Sequence, residues 1–162
     1  SMPAAIFVNK PEEQDTASFI KSFEGYKDIG YYATKGEASQ DLVTVGYGST
    51  GRVKKGEKIT EEQAVQYLQE DIAVAEKAVD SLVTVDLTPN QKSAVVSLVF
   101  NIGQGNFKNS KALQALNKGD MDTFVKEAFD SKIGFVKANG KILKGLVKRR
   151  KAEKTLFQGG IA

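Results

Sequence analysis

Between residues 28 and 53, glycines at 30, 36, 46, 48 and 51 interrupt short segments rich in Tyr, Val and Thr. Such punctuation suits tight turns between brief strands and is hostile to a helix, so this stretch predicts a small antiparallel sheet. On either side the pattern is helical. Asp15 or Thr16 can cap a first helix whose apolar face carries Phe19, Ile20 and Phe23 and which stops at Gly25, leaving Glu24 in its last turn. Thr60-Glu61-Glu62-Gln63 has the form of a capping box, in which the Thr hydroxyl and the Gln side chain each satisfy an exposed amide of the other. It opens a long helix to about Asp80, with Ala64, Leu68, Ile72, Ala75 and Val79 as its apolar stripe. Thr88-Pro89-Asn90-Gln91 is a second such start. It leads into Ala94–Phe100, apolar nearly all round as a buried central helix must be, and ended by Asn101-Ile102-Gly103. Shorter helices are expected at Ser110–Asn117 and Asp120–Asp130, a loop at Gly134–Gly140, and a last helix at Leu143–Phe157. The class is α+β: a small sheet lobe joined by a long helix to a helical lobe.

At 162 residues the chain fits one domain, read as 15–162, preceded by an arm over 1–14 that holds Pro3 and Pro11 and begins with Ser1-Met2, a cloning scar by its look. It has no Cys, His or Trp in its sequence. That excludes disulfides, thiol nucleophiles, histidine triads and zinc held by Cys or His. Hydrolysis here must run on carboxylates, hydroxyls, Lys, Arg or backbone dipoles. No metal or cofactor is expected. The net charge of +3 is too slight to point to nucleic acid, and no nucleic-acid motif is present. The densest positive region, Lys141 to Lys154, reads as a solvated helix face interrupted by Leu143, Leu146 and Val147, with some attraction for anionic wall polymers. The longest apolar runs, such as Ala4–Val8, are too short to span a bilayer, and no basic segment precedes an apolar signal core.

Phe23-Glu24-Gly25, followed by a glycine-rich hairpin carrying Thr44-Val45-Gly46-Tyr47-Gly48, resembles the opening of phage-type lysozymes, glycoside hydrolase family 24. Three later blocks follow in that family's order: Ile59-Thr60 with Gln63-Ala64, Val99–Gly103 with Phe107 and Ser110, and Gly145-Leu146-Val147 with Arg149-Arg150 and Glu153. The resemblance covers roughly residues 15–158. It implies a lysozyme-like fold and hydrolysis of β-1,4 bonds between N-acetylmuramic acid and N-acetylglucosamine in peptidoglycan, by a phage endolysin or virion-associated lysin. The partner implied is the glycan strand, with no stable membrane insertion and a monomeric protein that leaves the host cytoplasm for the wall at lysis. The alternatives are a catalytically impaired module that binds peptidoglycan, and the killing domain of a bacteriocin or effector.

The family places a general-acid Glu, an Asp or Cys nine positions on, and a Thr six further, the latter two serving the attacking water. This is the inverting arrangement, with carboxyl groups roughly 6.5–9.5 Å apart. Glu24 and Thr44 carry over. The middle position is Ala33, which can neither take a proton nor polarise water, and the Glu–Thr separation is twenty residues rather than fifteen. The longer hairpin contains Glu37 and Asp41. Either could supply the missing carboxylate. Asp41 is three residues before Thr44, which in a plain strand puts them on opposite faces, while Glu37 has the longer reach from a glycine-flanked turn. Thr44 alone orienting water, and an inactivated glycan binder, remain open beside them. A proton donor must hold its proton near neutral pH; desolvation favours this and a nearby Arg opposes it, unless both share a balanced network. Arg149 or Arg150 is the candidate for such a contact with Glu24. For substrate binding the resemblance and residue chemistry suggest Tyr32 and Tyr47 as flat platforms for sugar faces. Asn101 and Gly103 would meet acetamido groups where the central helix ends, with Phe107 and Ser110 close by.

Overall fold

The computed structural model describes residues 15–159, and the expected arm over 1–14 lies outside them. Helix α1 (Thr16–Lys21) starts where Asp15 accepts a hydrogen bond from the Ser18 amide at 3.2 Å. It buries Phe19 and Ile20. The helix closes earlier than its sequence pattern suggests. Ser22 caps it, its hydroxyl donating back to the Phe19 carbonyl at 2.6 Å, so Glu24 stands in the turn beyond the helix rather than in its last turn.

Strands β1 (Lys27–Tyr31), β2 (Thr44–Gly46) and β3 (Ser49–Thr50) form an antiparallel sheet in that order. Its register slips once: Lys27 pairs with Gly46 and Tyr31 with Thr44, so β1 carries extra residues against β2. The residues between β1 and β2 are not a plain hairpin. They contain a short helix, α2 (Lys35–Ser39), where the sequence reads as a glycine-flanked turn because Gly36 lies inside it. Its start is a full capping box: Thr34 accepts from the Glu37 amide at 3.0 Å, and Glu37 accepts from the Thr34 amide at 2.9 Å.

The Thr60 capping box opens α3 (Glu61–Leu82), 22 residues and therefore about 33 Å long, which connects the two lobes. The sheet is clamped to it by polar contacts. The Ser49 hydroxyl donates to Asp71 at 2.6 Å, and Arg52 donates to the same carboxylate at 2.8 Å and to Glu70. The helical lobe is wound around α4 (Pro89–Ile102), which contacts α1, α3 and the final helix α8 (Lys144–Phe157). Ala94, Val95, Val96, Leu98 and Val99 of α4 are buried, as its near-continuous apolar run requires. Helices α5 (Gln104–Lys108), α6 (Lys111–Asn117) and α7 (Met121–Phe129) complete the lobe, with Phe124, Phe129 and Phe157 meeting ring to ring at 5.0–6.0 Å. The expected loop before α8 holds a two-stranded hairpin, β4 (Lys137–Ala138) and β5 (Lys141–Ile142), turned by Asn139 and Gly140, both at positive φ. Strands of two residues are too short to show periodicity, but Asn-Gly is the favoured dipeptide for such a turn.

Two expectations are corrected by packing. Phe107 is wholly buried among the helical-lobe core residues and offers no face to a ligand. Arg149 and Arg150 are not on a solvated face; both are buried, at 4 % and 0 % exposure. The reason is tertiary: α8 lies against α4, and the arginines point into that contact.

Candidate active site

Glu24 lines a cleft of about 710 Å3, together with Phe23, Asn101, Leu143, Leu146 and Arg149. The cleft lies between the end of α1, the end of α4 and the first turns of α8. Glu24 is held on two sides. Its Oε1 accepts from Arg149 Nη1 at 2.8 Å. Its Oε2 faces the hairpin: a methyl group added at Gly48, which has φ +85°, would stand only 3.1 Å from that oxygen. Gly48 therefore allows both the turn and the close approach of the sheet to the acid.

Arg149 is itself divided between partners. Its Nη2 donates weakly to the Ser97 carbonyl at 3.3 Å, and its Nε lies 3.5 Å from Glu153. Glu153 is fully buried, takes a hydrogen bond from the Ser97 hydroxyl at 2.6 Å, and pairs with Arg150 Nε at 2.6 Å. Two guanidinium groups are thus matched by two carboxylates, Glu24 and Glu153, in one connected cluster. Burial lowers the pKa of Arg150 to about 10, against the opposing pull of Glu153. Burial pushes the Glu153 carboxyl up, with Arg150, Ser97 and Arg149 acting the other way. Arg149 is thus divided between Glu24 and Glu153. Glu153 stands in the sequence only as a member of a motif block, and Ser97 not at all, because a lone acid in a lysine-rich helix gives no local sign of burial.

Across the sheet the structure brings Glu37 and Thr44 together. The Thr44 hydroxyl, on the buried face of β2, donates to Glu37 Oε1 at 2.6 Å, while Oε2 is engaged by the Thr34 amide. The Thr34–Glu37 spacing was the available signal for this arrangement. Asp41 is placed differently. It has φ 51° at the exit from α2 and accepts a hydrogen bond from the Tyr32 hydroxyl, which raises the Tyr32 pKa. Tyr32 and Asp41 form their own pair, and no hydrogen bond joins Asp41 to Thr44 among the described residues.

The remaining candidates separate. Asn101 lines the cleft with Glu24. Gly103 caps α4 at φ 85° and is exposed, its amide returning to the Val99 carbonyl. Ser110 is occupied as the cap of α6, accepting from the Leu113 amide at 3.0 Å and donating to the Phe107 carbonyl at 2.6 Å. Tyr47 is 6 % exposed, packed on Tyr26, and donates to Glu61, so its ring is a packing element and not an open platform.

The family model for phage lysozyme matches residues 21–153. An endolysin of Acyrthosiphon pisum secondary endosymbiont phage 1 is 42 % identical over 141 residues, 86 % of this chain and 92 % of that protein. An endolysin of Bacillus phage B103 is 38 % identical over 88 % of this chain, which spans only 52 % of that longer relative. In structure, the chain is similar to the muramidase domain of SpmX from Asticaccaulis excentricus, with a TM-score of 0.76 and 33 % identity, covering 88 % of this chain and 93 % of that domain. Four motif blocks in order, a carboxylate lining the cleft and a sheet lobe joined by one long helix to a helical lobe have a single common source: this chain belongs to the phage lysozyme family.

Proposed function

We propose that this chain is an N-acetylmuramidase that hydrolyses the β-1,4 bond between N-acetylmuramic acid and N-acetylglucosamine, with Glu24 as acid and Glu37 acting through Thr44 on the water. The observation that carries this reading is the 2.6 Å hydrogen bond from Thr44 to Glu37, which puts a carboxylate behind the threonine although Ala33 occupies the usual carboxylate position. With its proton committed to Glu37, the Thr44 oxygen is left as an acceptor. It takes a hydrogen bond from water and aims a water lone pair at the anomeric carbon. Glu24 gives its proton to the departing glycosidic oxygen as that carbon–oxygen bond breaks. Water forms the new bond on the opposite face, and its proton passes through Thr44 to Glu37. Solvent exchange then returns the proton to Glu24. The anomeric centre is inverted.

Arg149 positions Glu24, and Gly48 lets the sheet close on it. The protein acts as a monomer on glycan strands, moving from the host cytoplasm to the wall at phage lysis. Among the described residues no helix is long and apolar enough to cross a membrane.

Clearing of chloroform-treated Gram-negative cells tests the assignment. Glu24→Gln abolishes clearing. Glu37→Gln slows it by about 10²–10⁴-fold, the usual worth of a general base, whereas Asp41→Asn stays within a few-fold of the parent. The opposite ranking of Glu37 and Asp41 would overturn the pairing. Peptidoglycan binding without clearing in the parent chain would make it the non-cutting module that Ala33 alone suggests.

A further inference from the structure

The cleft has a second polar side chain whose orientation is dictated from inside the protein. Asn101 closes α4 and lines the cleft with Glu24, while its Oδ1 accepts a hydrogen bond from Arg150 Nη2 at 2.8 Å. A guanidinium has donors only, so the atom of Asn101 facing Arg150 must be the oxygen. Arg150 in turn is not free to turn away. It is wholly buried, paired with Glu153 at 2.6 Å and bonded to the Phe135 carbonyl at 3.4 Å. The Asn101 amide is therefore fixed in one of its two flips, and its NH2 group donates to no described residue.

From this geometry we infer that Arg150 is a positioning residue that makes Asn101 a donor-only contact in the cleft, selecting glycan that bears an acetamido carbonyl over glycan with a free amine. The inference rests on the cleft being the glycan-cutting site proposed above. An acetamido oxygen accepts what the NH2 offers. The ammonium of a de-N-acetylated sugar has only donors, so it meets Asn101 donor to donor, and a polar group aimed at a ligand that cannot answer it is a strong source of discrimination.

The test compares cleavage of N-acetylated walls with cleavage of the same walls after chemical de-N-acetylation, by kcat/KM. Asn101→Asp keeps an oxygen for Arg150 and presents a second oxygen, an acceptor, to the cleft. The preference for N-acetylated over de-N-acetylated wall is expected to fall by about ten-fold or more in this variant, the worth of one good hydrogen bond. Asn101→Leu, at an exposed site, removes both functions and is expected to lower the same ratio without favouring the amine. Paired replacement of Arg150→Gln with Glu153→Gln leaves no buried charge of that pair stranded and frees the amide to flip, which also lowers the ratio. Thermal melts identify any variant that does not fold, and the two Asn101 substitutions decide the matter alone if the double variant fails. An unchanged ratio in Asn101→Asp and Asn101→Leu overturns the inference. If the parent cuts neither wall, or Glu24→Gln still cuts, it is the glycosidase assignment that falls instead.

Discussion

The two carboxylates assigned to catalysis are held in opposite ways. Glu24 is tied to Arg149, 125 residues along the chain, and through it to the buried cluster of Ser97, Arg150 and Glu153. Glu37 is held by neighbours, the Thr34 amide three residues before it and the Thr44 hydroxyl seven after. The hold on Glu24 depends on the helical lobe being assembled; the hold on Glu37 is a local device within the sheet lobe. The acid's position is thus coupled to global stability, and that of its partner is not.

The sharpest way to break this contrast is to remove one carboxylate from each side. Glu153→Ala strands the buried Arg150 guanidinium, leaving Arg149 with Glu24 as its one carboxylate, and is expected to cost about 3–5 kcal/mol, a fall of roughly 10 °C in Tm. Glu37→Ala loses the capping contact and leaves the buried Thr44 hydroxyl without its acceptor, costing about 1–2 kcal/mol, while lowering activity at least as far as Glu37→Gln. Equal melting shifts in the two variants, measured by calorimetry, would erase the distinction. A second comparison separates anchoring from chemistry. Arg149→Met frees Glu24 and is expected to lower kcat about ten-fold or more, together with stability. Thr34→Ala loosens Glu37 and is expected to lower kcat only a few-fold, with melting changed by little, since Thr44 still holds the carboxylate. A Thr34→Ala loss as large as that of Arg149→Met would mean that α2 is no mere local support.

The smallest effect concerns acid stability. Asp120, capping α7, is held below the ordinary carboxylate range chiefly by the Thr123 hydroxyl and then by the Thr123 amide. Its folded pKa is lowered, so its contribution is present above the unfolded value of about 4 and is lost as pH falls through the folded value. Asp120→Asn should flatten the acid end of the stability profile slightly, as read by urea unfolding between roughly pH 2 and 5. An unaltered profile would mean that the cap is already loose in solution.

Much of the architecture was legible because the signals were local. The capping boxes at Thr60 and Thr88 mark helices where the structure has them, and the apolar run of α4 announced its burial. The same box at Thr34 reads as a turn in sequence, since Gly36 inside it argues against helix and five residues are too few for periodicity. Glu24 and Thr44 could be singled out by motif, but their partners could not all be. Glu37 reaches Thr44 only because α2 folds the inserted chain back, and Glu153 is buried only because Ser97, 56 residues away, lies under it. Phe107, Tyr47 and Ser110 show the reverse error. A phenyl ring, a phenol and a serine suit a sugar cleft, yet each is spent on packing or capping in the fold.

The span between Glu24 and Arg149 also bears on timing. A growing chain presents the acid early in synthesis, with the loop and sheet around it, but the guanidinium that steadies it arrives 125 residues later. Until α8 docks on α4, the carboxylate has no fixed bearing and the cleft lacks one wall. A chain built in this order completes the cleft beside Glu24 only when α8 seats on α4.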